Sequence, residues 1–321
     1  MNLQNKHELT TLIKNKAKEA GFDLCGIAPA GILEENASIL NEWCASGMNA
    51  GMDYMSRNID KRADPSSLLP GVRSVIVTGL NYYTERKQGG GEVPVMSVYA
   101  YGRDYHEVVM KKLQKVIKCI SEIDDSTTSR AFVDSVPFFE KPWAVKAGIG
   151  WQGKHSIVIN EKTGSFFFIG VILTTLALEY DSPAADRCGS CNLCMEACPT
   201  NAINKNRTID AGKCIAYLTI DNRNPVSDED IEKLGGRIIG CDRCQEVCPW
   251  NRHAIHHKVP DFEISEELRK MTSEQWLNLS KEDYDRLFSH SAVRRRKFEV
   301  FIQNVTNVTK FLRDGNGKAD A

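Results

Sequence analysis

Cysteine spacing constrains this chain more than any other feature. "CGSCNLCMEACP" sets Cys188, Cys191, Cys194 and Cys198 in a C-x2-C-x2-C-x3-C-P run. "CDRCQEVCP" repeats its second half with Cys241, Cys244 and Cys248. A cubane iron–sulfur cluster needs four thiolates. One tight loop with this spacing supplies three, and the Cys before Pro commonly serves the other cluster of a pair. On that rule Cys188, Cys191 and Cys194 hold one cluster, with Cys248 as its fourth ligand. Cys241, Cys244 and Cys198 hold the second, which is one thiolate short. Cys214 in "AGKCIAYLTI" is the candidate for the missing ligand. Cys25, Cys44 and Cys119 lie in apolar contexts typical of buried core cysteines. Zinc is the competing reading, but zinc favours paired C-x2-C motifs without the trailing C-P. The chain has eleven cysteines in all. In a chain this long their clustering points to metal rather than disulfides, and with free thiols to a reducing cytoplasm.

A two-cluster module is short, whereas this chain has 321 residues, enough for one large or several smaller domains. Apolar residues make up 42%, enough for a packed core, and the net charge is −1. That balance is not the global footprint of a nucleic-acid binder, so any such contact must use local basic patches. No apolar run is long enough for a transmembrane helix. The N-terminus "MNLQNKHELTTLIKNKAKEAG" lacks the apolar core of a signal peptide.

Leu9, Leu12, Ile13 and Ala17 share one face of a helix over 7–20. "DLCGIAPA", "SVIVTGLNYY" and "RAFVDSVP" read as strands ending at Gly or Pro punctuation. Val109, Leu113, Val116, Ile117 and Ile120 predict an amphipathic helix over 107–121. "GKHSIVIN" and "SFFFIGVILTTL" read as a hairpin joined by "EKTG". Up to about Asp181 this is an α/β or α+β domain. The Cys-rich segment follows abruptly, and after Trp250 the chain reads as helical and charged. Two clusters side by side form a short wire, so the first part should bind an acceptor. It holds no G-x-G-x-x-G after a strand and no Walker loop, so a nucleotide reading is unsupported.

"GFDLCGIAPA", "YGRDYH", "FVDSVPFFEKPWAVKAGIGWQGKHSIVIN", "CIAYLTIDNR" and "IIGCDRCQEVCPWN", together with the cysteine run, resemble the epoxyqueuosine reductase family. The resemblance runs in order from about residue 20 to residue 300. It implies an α+β chain in three parts. Residues 1–181 form a cobalamin-binding α/β catalytic domain, 182–252 a ferredoxin-like domain with two [4Fe–4S] clusters, and 253–321 a short helical segment. Many members continue into a helical-repeat region that this sequence lacks, which puts tRNA affinity in doubt rather than the chemistry. The implied reaction is reduction of epoxyqueuosine to queuosine at the tRNA wobble position. Cobalamin and two [4Fe–4S] clusters are the implied cofactors. The expected partners are tRNA and an external flavodoxin- or ferredoxin-type electron donor, with no membrane and a monomeric chain.

The opened epoxide needs an acid, and the resemblance places the family's proton donor on Asp134. Burial at the end of a strand would raise its pKa and keep it protonated; a turn-capping role is the plainer alternative. "YGRDYH" reads as a helix start capped by Asp104, with Tyr105 or His106 near substrate. Arg57 is either a cobalamin contact or a solvated loop charge. Lys154 and His155 lie either against a corrin or in an ordinary tight turn. The resemblance also matches Ser97, Val158, Ile169, Ala216, Cys241 and Asp242 to positions near cobalamin, and Asp221 and Arg223 to the substrate-contact segment. Arg237 and the "RRRK" run at 294–297 are candidates for tRNA phosphates, the run reading equally well as a solvated face. His253, His256 and His257 read as a solvated helix start. Two other readings compete: a dehalogenase-like reductase, and an electron-transfer protein without catalysis. The second leaves "FVDSVPFFEKPWAVKAGIGW" without a purpose.

Overall fold

The computed structural model describes residues 3–315. Its central sheet has four strands, β1 (Leu24–Pro29), β2 (Ser74–Asn81), β4 (Ser129–Phe132) and β7 (Phe167–Thr174), in the order β1-β2-β7-β4. Every pairing in it is antiparallel. That corrects the parallel winding an α/β label implies; the α+β class is the accurate one. Alternation along β2 explains its unbroken apolar run. Ile76 and Leu80 face helices α1 (Leu3–Glu19) and α4 (Tyr105–Ile123), while Val75 and Val77 face α5 (Glu140–Lys146). A strand covered on both faces has no polar side to show. The buried stripe of α4, Val109, Leu113, Val116 and Ile120, follows the helical repeat, and Asp104 caps its start.

The expected hairpin through "EKTG" exists only as a turn. Asn160 and Gly164 exchange backbone hydrogen bonds of 2.8 and 3.0 Å. Beyond it the two runs diverge: β6 (Val158–Ile159) pairs with β5 (Trp151–Gln152), while β7 enters the main sheet. Two longer partners, β2 and β4, bury both edges of β7, and the short run of β6 cannot compete for them.

Between these elements lie α2 (Glu34–Ala45) and α3 (Ile59–Ala63). The cysteine-rich part supplies α6 (Leu193–Glu196), α7 (Ile215–Ile220), α8 (Asp228–Ile231) and α9 (Arg243–Glu246). The two half-motif helices, α6 and α9, pack against each other. The end of the chain adds α10 (Glu266–Arg269), α11 (Ser273–Leu277), α12 (Lys281–Leu287) and α13 (Phe298–Arg313). No described helix is long and apolar enough to cross a membrane.

Packing is continuous across residues 181–182 and 252–253. One core joins Ile13, Ile76 and Leu113 with Ile215, Ile238, Trp276, Phe301 and Leu312. A parallel ladder adds to it, since β8 (Arg237–Ile239) pairs with β3 (Val95–Met96). Gly240 follows β8 at φ +67°, and a Cβ there would lie 2.6 Å from Ser97 Cβ. Only glycine both takes that turn and lets the two segments approach so closely. Gly240→Ala should therefore cost about 1–3 kcal/mol of stability, whereas Gly89→Ala, whose Cβ meets nothing within 4 Å, should be neutral. Urea titration of both variants checks this.

Candidate functional site

The crossed arrangement of cysteines appears in space. Cys188, Cys191, Cys194 and Cys248 line one cavity of about 220 Å3 beside Trp250 and His155. Cys198, Cys214, Cys241 and Cys244 line a second of about 620 Å3. Proline explains the exchange: Cys198 and Cys248 end short helical turns, and each following Pro turns the chain away toward the other set. Among the described residues no three cysteine sulfurs lie within 4.8 Å of one another. Four thiolates on one zinc would sit about 3.8 Å apart, given Zn–S bonds of about 2.3 Å. The spread thus suits a cubane rather than a single ion. Of the other cysteines, Cys119 is buried and Cys25 and Cys44 are half-buried; none lines either cavity. Burial pushes the Cys25 thiol up to about 12, which leaves it inert.

The Cys198 cavity adjoins a third, of about 670 Å3, and they share Met55, Phe139, Lys141 and Pro142 as common walls. The third cavity holds Asp134, Arg57, Arg62, Asp221 and Arg295. Each space lies within the size range of whole-ligand pockets, about 300–1,000 Å3. Ile39, Leu40, Trp43 and Ile203 give the Cys198 cavity an apolar lining beside the cysteines.

Asp134 follows β4 with φ +49°, a left-handed conformation that Asp tolerates better than most residues. Its amide donates to Glu140 Oε1 at 2.6 Å. Tyr105 Oη donates to Asp134 Oδ2 at 2.9 Å. His106 Nε2 and Arg295 Nη1 lie 3.8 and 3.9 Å from the same oxygen. Phe168 of β7 stacks on the Tyr105 ring at 4.2 Å, which fixes the donor. Burial favours the neutral acid, but His106, Tyr105 and Arg295 outweigh it and hold the Asp134 carboxyl below the ordinary range. The expected upward shift is thus reversed, because the strand end delivers Asp134 into a cluster of donors. The upward shift falls instead on Glu140, where burial and the Asp134 charge push the carboxyl up to about 8.

The remaining expected residues divide. Ala216 and Cys241 line the Cys198 cavity, as does His155. His155 is 3% exposed, burial lowers its pKa to about 4, and its Nε2 has no hydrogen-bond partner. Nδ1 accepts from Ile157 N–H at 3.2 Å, so Nε2 carries the proton. Val158 and Ile169 line neither cavity; Val158 points into the core, and its neighbour Ile157, in the bend before β6, lines the Cys198 cavity instead. Ser97 and Asp242 are turned toward each other. Asp242 accepts from Ser97 Oγ and, at 2.8 Å, from Val98 N–H. Lys154 bonds Asn192 at 2.8 Å and lines the Cys188 cavity. Arg57 and Asp221 stand at the Asp134 cavity, whereas Arg223 is exposed outside it.

The "RRRK" run is neither a solvated face nor a uniform basic patch. Arg294 pairs with Asp285, Arg295 enters the site, and Arg296 is buried and donates to the carbonyls of Ile220 and Asn224. Arg237 is likewise buried, near Glu246. His253 is exposed, but His257 is buried and His256 bonds Glu263 at 2.8 Å, so these histidines belong to packing. Arg295 was singled out only as part of a phosphate-binding run, and Glu140 and Lys141 not at all; the helical start "EKPW", six residues after Asp134, was the available signal.

Two family models match the chain: "Epoxyqueuosine reductase QueG, DUF1730" over residues 62–135, and "4Fe-4S double cluster binding domain" over residues 187–251. An epoxyqueuosine reductase of Cellulophaga algicola is 43% identical over 305 residues, which is 95% of this chain and 99% of that one. This chain belongs to the epoxyqueuosine reductase family. Membership makes it an oxidoreductase, and its cysteine-rich part a double [4Fe–4S] domain. Two solved family structures share its fold, each with TM-score 0.86, covering 96% of this chain and 83% of theirs. One, 28% identical, is an epoxyqueuosine reductase with an epoxyqueuosine-modified tRNA-Tyr stem loop. The other, 27% identical, comes from Bacillus subtilis and has its catalytic aspartate loop swung out of the active site. For the present member, Tyr105→Phe removes one donor and should raise the Asp134 pKa, read as an upward shift in its carboxyl 13C titration.

Proposed function

We propose that this protein reduces epoxyqueuosine to queuosine in the tRNA anticodon, with Asp134 as the acid that protonates the departing epoxide oxygen. One observation carries the reading: the Asp134 cavity shares the walls Met55, Phe139, Lys141 and Pro142 with the cavity lined by Cys198, Cys214, Cys241 and Cys244. A proton-bearing group and a source of electrons thus face one space. The cysteine sets hold the two clusters in crossed fashion, Cys188, Cys191, Cys194 and Cys248 for one, Cys198, Cys214, Cys241 and Cys244 for the other. The first set includes exposed Cys191. It meets a flavodoxin- or ferredoxin-type donor, and the second set faces the reaction space.

Cobalamin fits the joined cavities on two counts. The wall is largely apolar, and the buried His155 Nε2–H is a donor without a partner, suited to a corrin amide. Ala216, Cys241 and Arg57 complete the contacts. When bound, cobalamin supplies the low-potential cobalt that reduces the epoxide. The chain's own residues do the rest. Phe139 and Pro142 form walls common to both cavities. Asp221 and Arg295 stand where the nucleoside enters, and Tyr105 and His106 hold Asp134 beside the reacting oxygen. The relative bound to an epoxyqueuosine-modified tRNA stem loop supports tRNA as the substrate, and a base turned out of its stack needs an open, polar cavity of this kind. One chain lines both cavities, which supports a monomer, and tRNA as substrate supports a cytoplasmic location.

Asp134→Asn should leave cluster and cobalamin spectra intact and slow turnover about 10²–10⁴-fold. Unchanged turnover refutes its role. Cys214→Ala should retain about half the iron, with one cluster's spectrum surviving; full iron content rules out Cys214 as a ligand. In cells lacking the gene, nucleoside mass spectrometry of tRNA should show epoxyqueuosine accumulating, and its absence would sink the reading.

A further inference from the structure

We infer that His106 returns protons to Asp134 during turnover, with Asp104 fixing its tautomer and Arg295 occupying its free nitrogen between transfers. The inference rests on the epoxide-reducing reading above. Deoxygenating an epoxide to an alkene breaks two C–O bonds, forms one C=C π bond and releases the oxygen as water. It consumes two electrons, supplied by the reductant, and two protons. One carboxyl delivers one proton at a time, so Asp134 must be recharged within each turnover.

The geometry provides the route. Asp104 Oδ1 lies 2.6 Å from His106 Nδ1 and also accepts the His106 amide at 3.0 Å. Nε2 then faces two groups, Asp134 Oδ2 at 3.8 Å and Arg295 Nη2 at 2.6 Å. An arginine only donates, so here Nε2 is a bare acceptor and Nδ1–H points to Asp104. A proton and Arg295 therefore compete for one lone pair. Arg295 is half exposed and lines the substrate cavity, so an anionic substrate group draws it outward and frees Nε2.

Protonated there, His106 passes Nε2–H to Asp134 Oδ2. The imidazolium becomes imidazole, and the carboxylate becomes the acid that the epoxide oxygen needs. The groups facing the ring are Asp104 on its own turn, the Tyr105 ring tilted against it, Asp134 from the loop after β4, Glu140 at the start of α5, and Arg295 from the segment before α13. Burial opposes a charge on the ring, yet Asp104 and Asp134 outweigh it and Arg295 and hold its pKa above the ordinary value. The charged form thus persists as pH rises until that raised pKa is passed, and recharging should fail above it.

Two measurements test this on the cofactor-loaded protein. In pH–rate profiles, His106→Asn should lose at least about tenfold at about pH 8 and less at about pH 6, where bulk acid protonates Asp134 directly; added imidazole should restore part of the rate. Asp104→Asn keeps the helix cap and should move the falling limb to lower pH. A wild-type rate in His106→Asn, or a loss equal at all pH without imidazole rescue, overturns the inference. So does a pH-dependent loss found in Glu140→Gln but not in His106→Asn. The second measurement needs no turnover: NMR titration of the His106 ring in oxidised protein. Asp134→Asn should lower its midpoint and Arg295→Gln should raise it, and unmoved midpoints overturn the inference. If the variants show these shifts but the wild-type protein leaves epoxyqueuosine untouched, the functional reading alone fails.

Discussion

The molecule depends on one buried carboxylate. Asp242 lies between two cluster-motif cysteines, Cys241 and Cys244, yet its side chain serves the other half of the chain. It accepts from Ser97 Oγ and Val98 N–H, beside the parallel ladder of β3 and β8. Burial raises its pKa, and these two donors counter the rise. A charge-assisted bond in such surroundings is stronger than its counterpart in water, and removing either partner strands the other. The result is positional. Cys241 and Cys244 line one cavity with Phe139 and Lys141, so the second cysteine set is a wall shared with the first part of the chain rather than part of a tethered module. Gly240 makes this joint by turning where a side chain would strike Ser97.

This joint explains why Ser97 and Asp242 track the cofactor region without lining it. The sequence resemblance matched both to positions near cobalamin; in the structure they bond each other and line neither cysteine cavity. Their side chains hold the wall that the ligand meets. Val158 is similar, one residue off the lining position that Ile157 takes. A single sequence ranks residues by type and neighbourhood, and it cannot separate a side chain that touches a ligand from one that holds the toucher.

Other features were legible for good physical reasons. The cysteine spacing is short-range geometry, so the two quartets, including the distant Cys214, follow from counting. The periodicity of α4 and the all-apolar β2 report burial directly. What escaped was everything set by long-range arrival. The partners of β7 depend on which strands reach it first with the longest ladder. Arg294, Arg295 and Arg296 look identical in sequence. The turn at Ala292–Arg295 sends one to the surface, one to the site and one into the core.

Asp134 and Glu140 show how placement overrides type. Asp134 lies on the loop after β4 and Glu140 opens α5, and the two are joined through the Asp134 amide. Asp134 meets a tyrosine hydroxyl, an imidazole and a guanidinium, so its charge is stabilised despite a partly enclosed position. Glu140 sits behind it with that negative charge as a neighbour, and so keeps its proton longer. Environments that separate two pKa values in this way divide acid and base roles between like groups. An acid held mostly ionised is poorly stocked but easily refilled. A site that must give two protons in sequence gains more from rapid refilling by His106 than from one carboxyl kept permanently neutral.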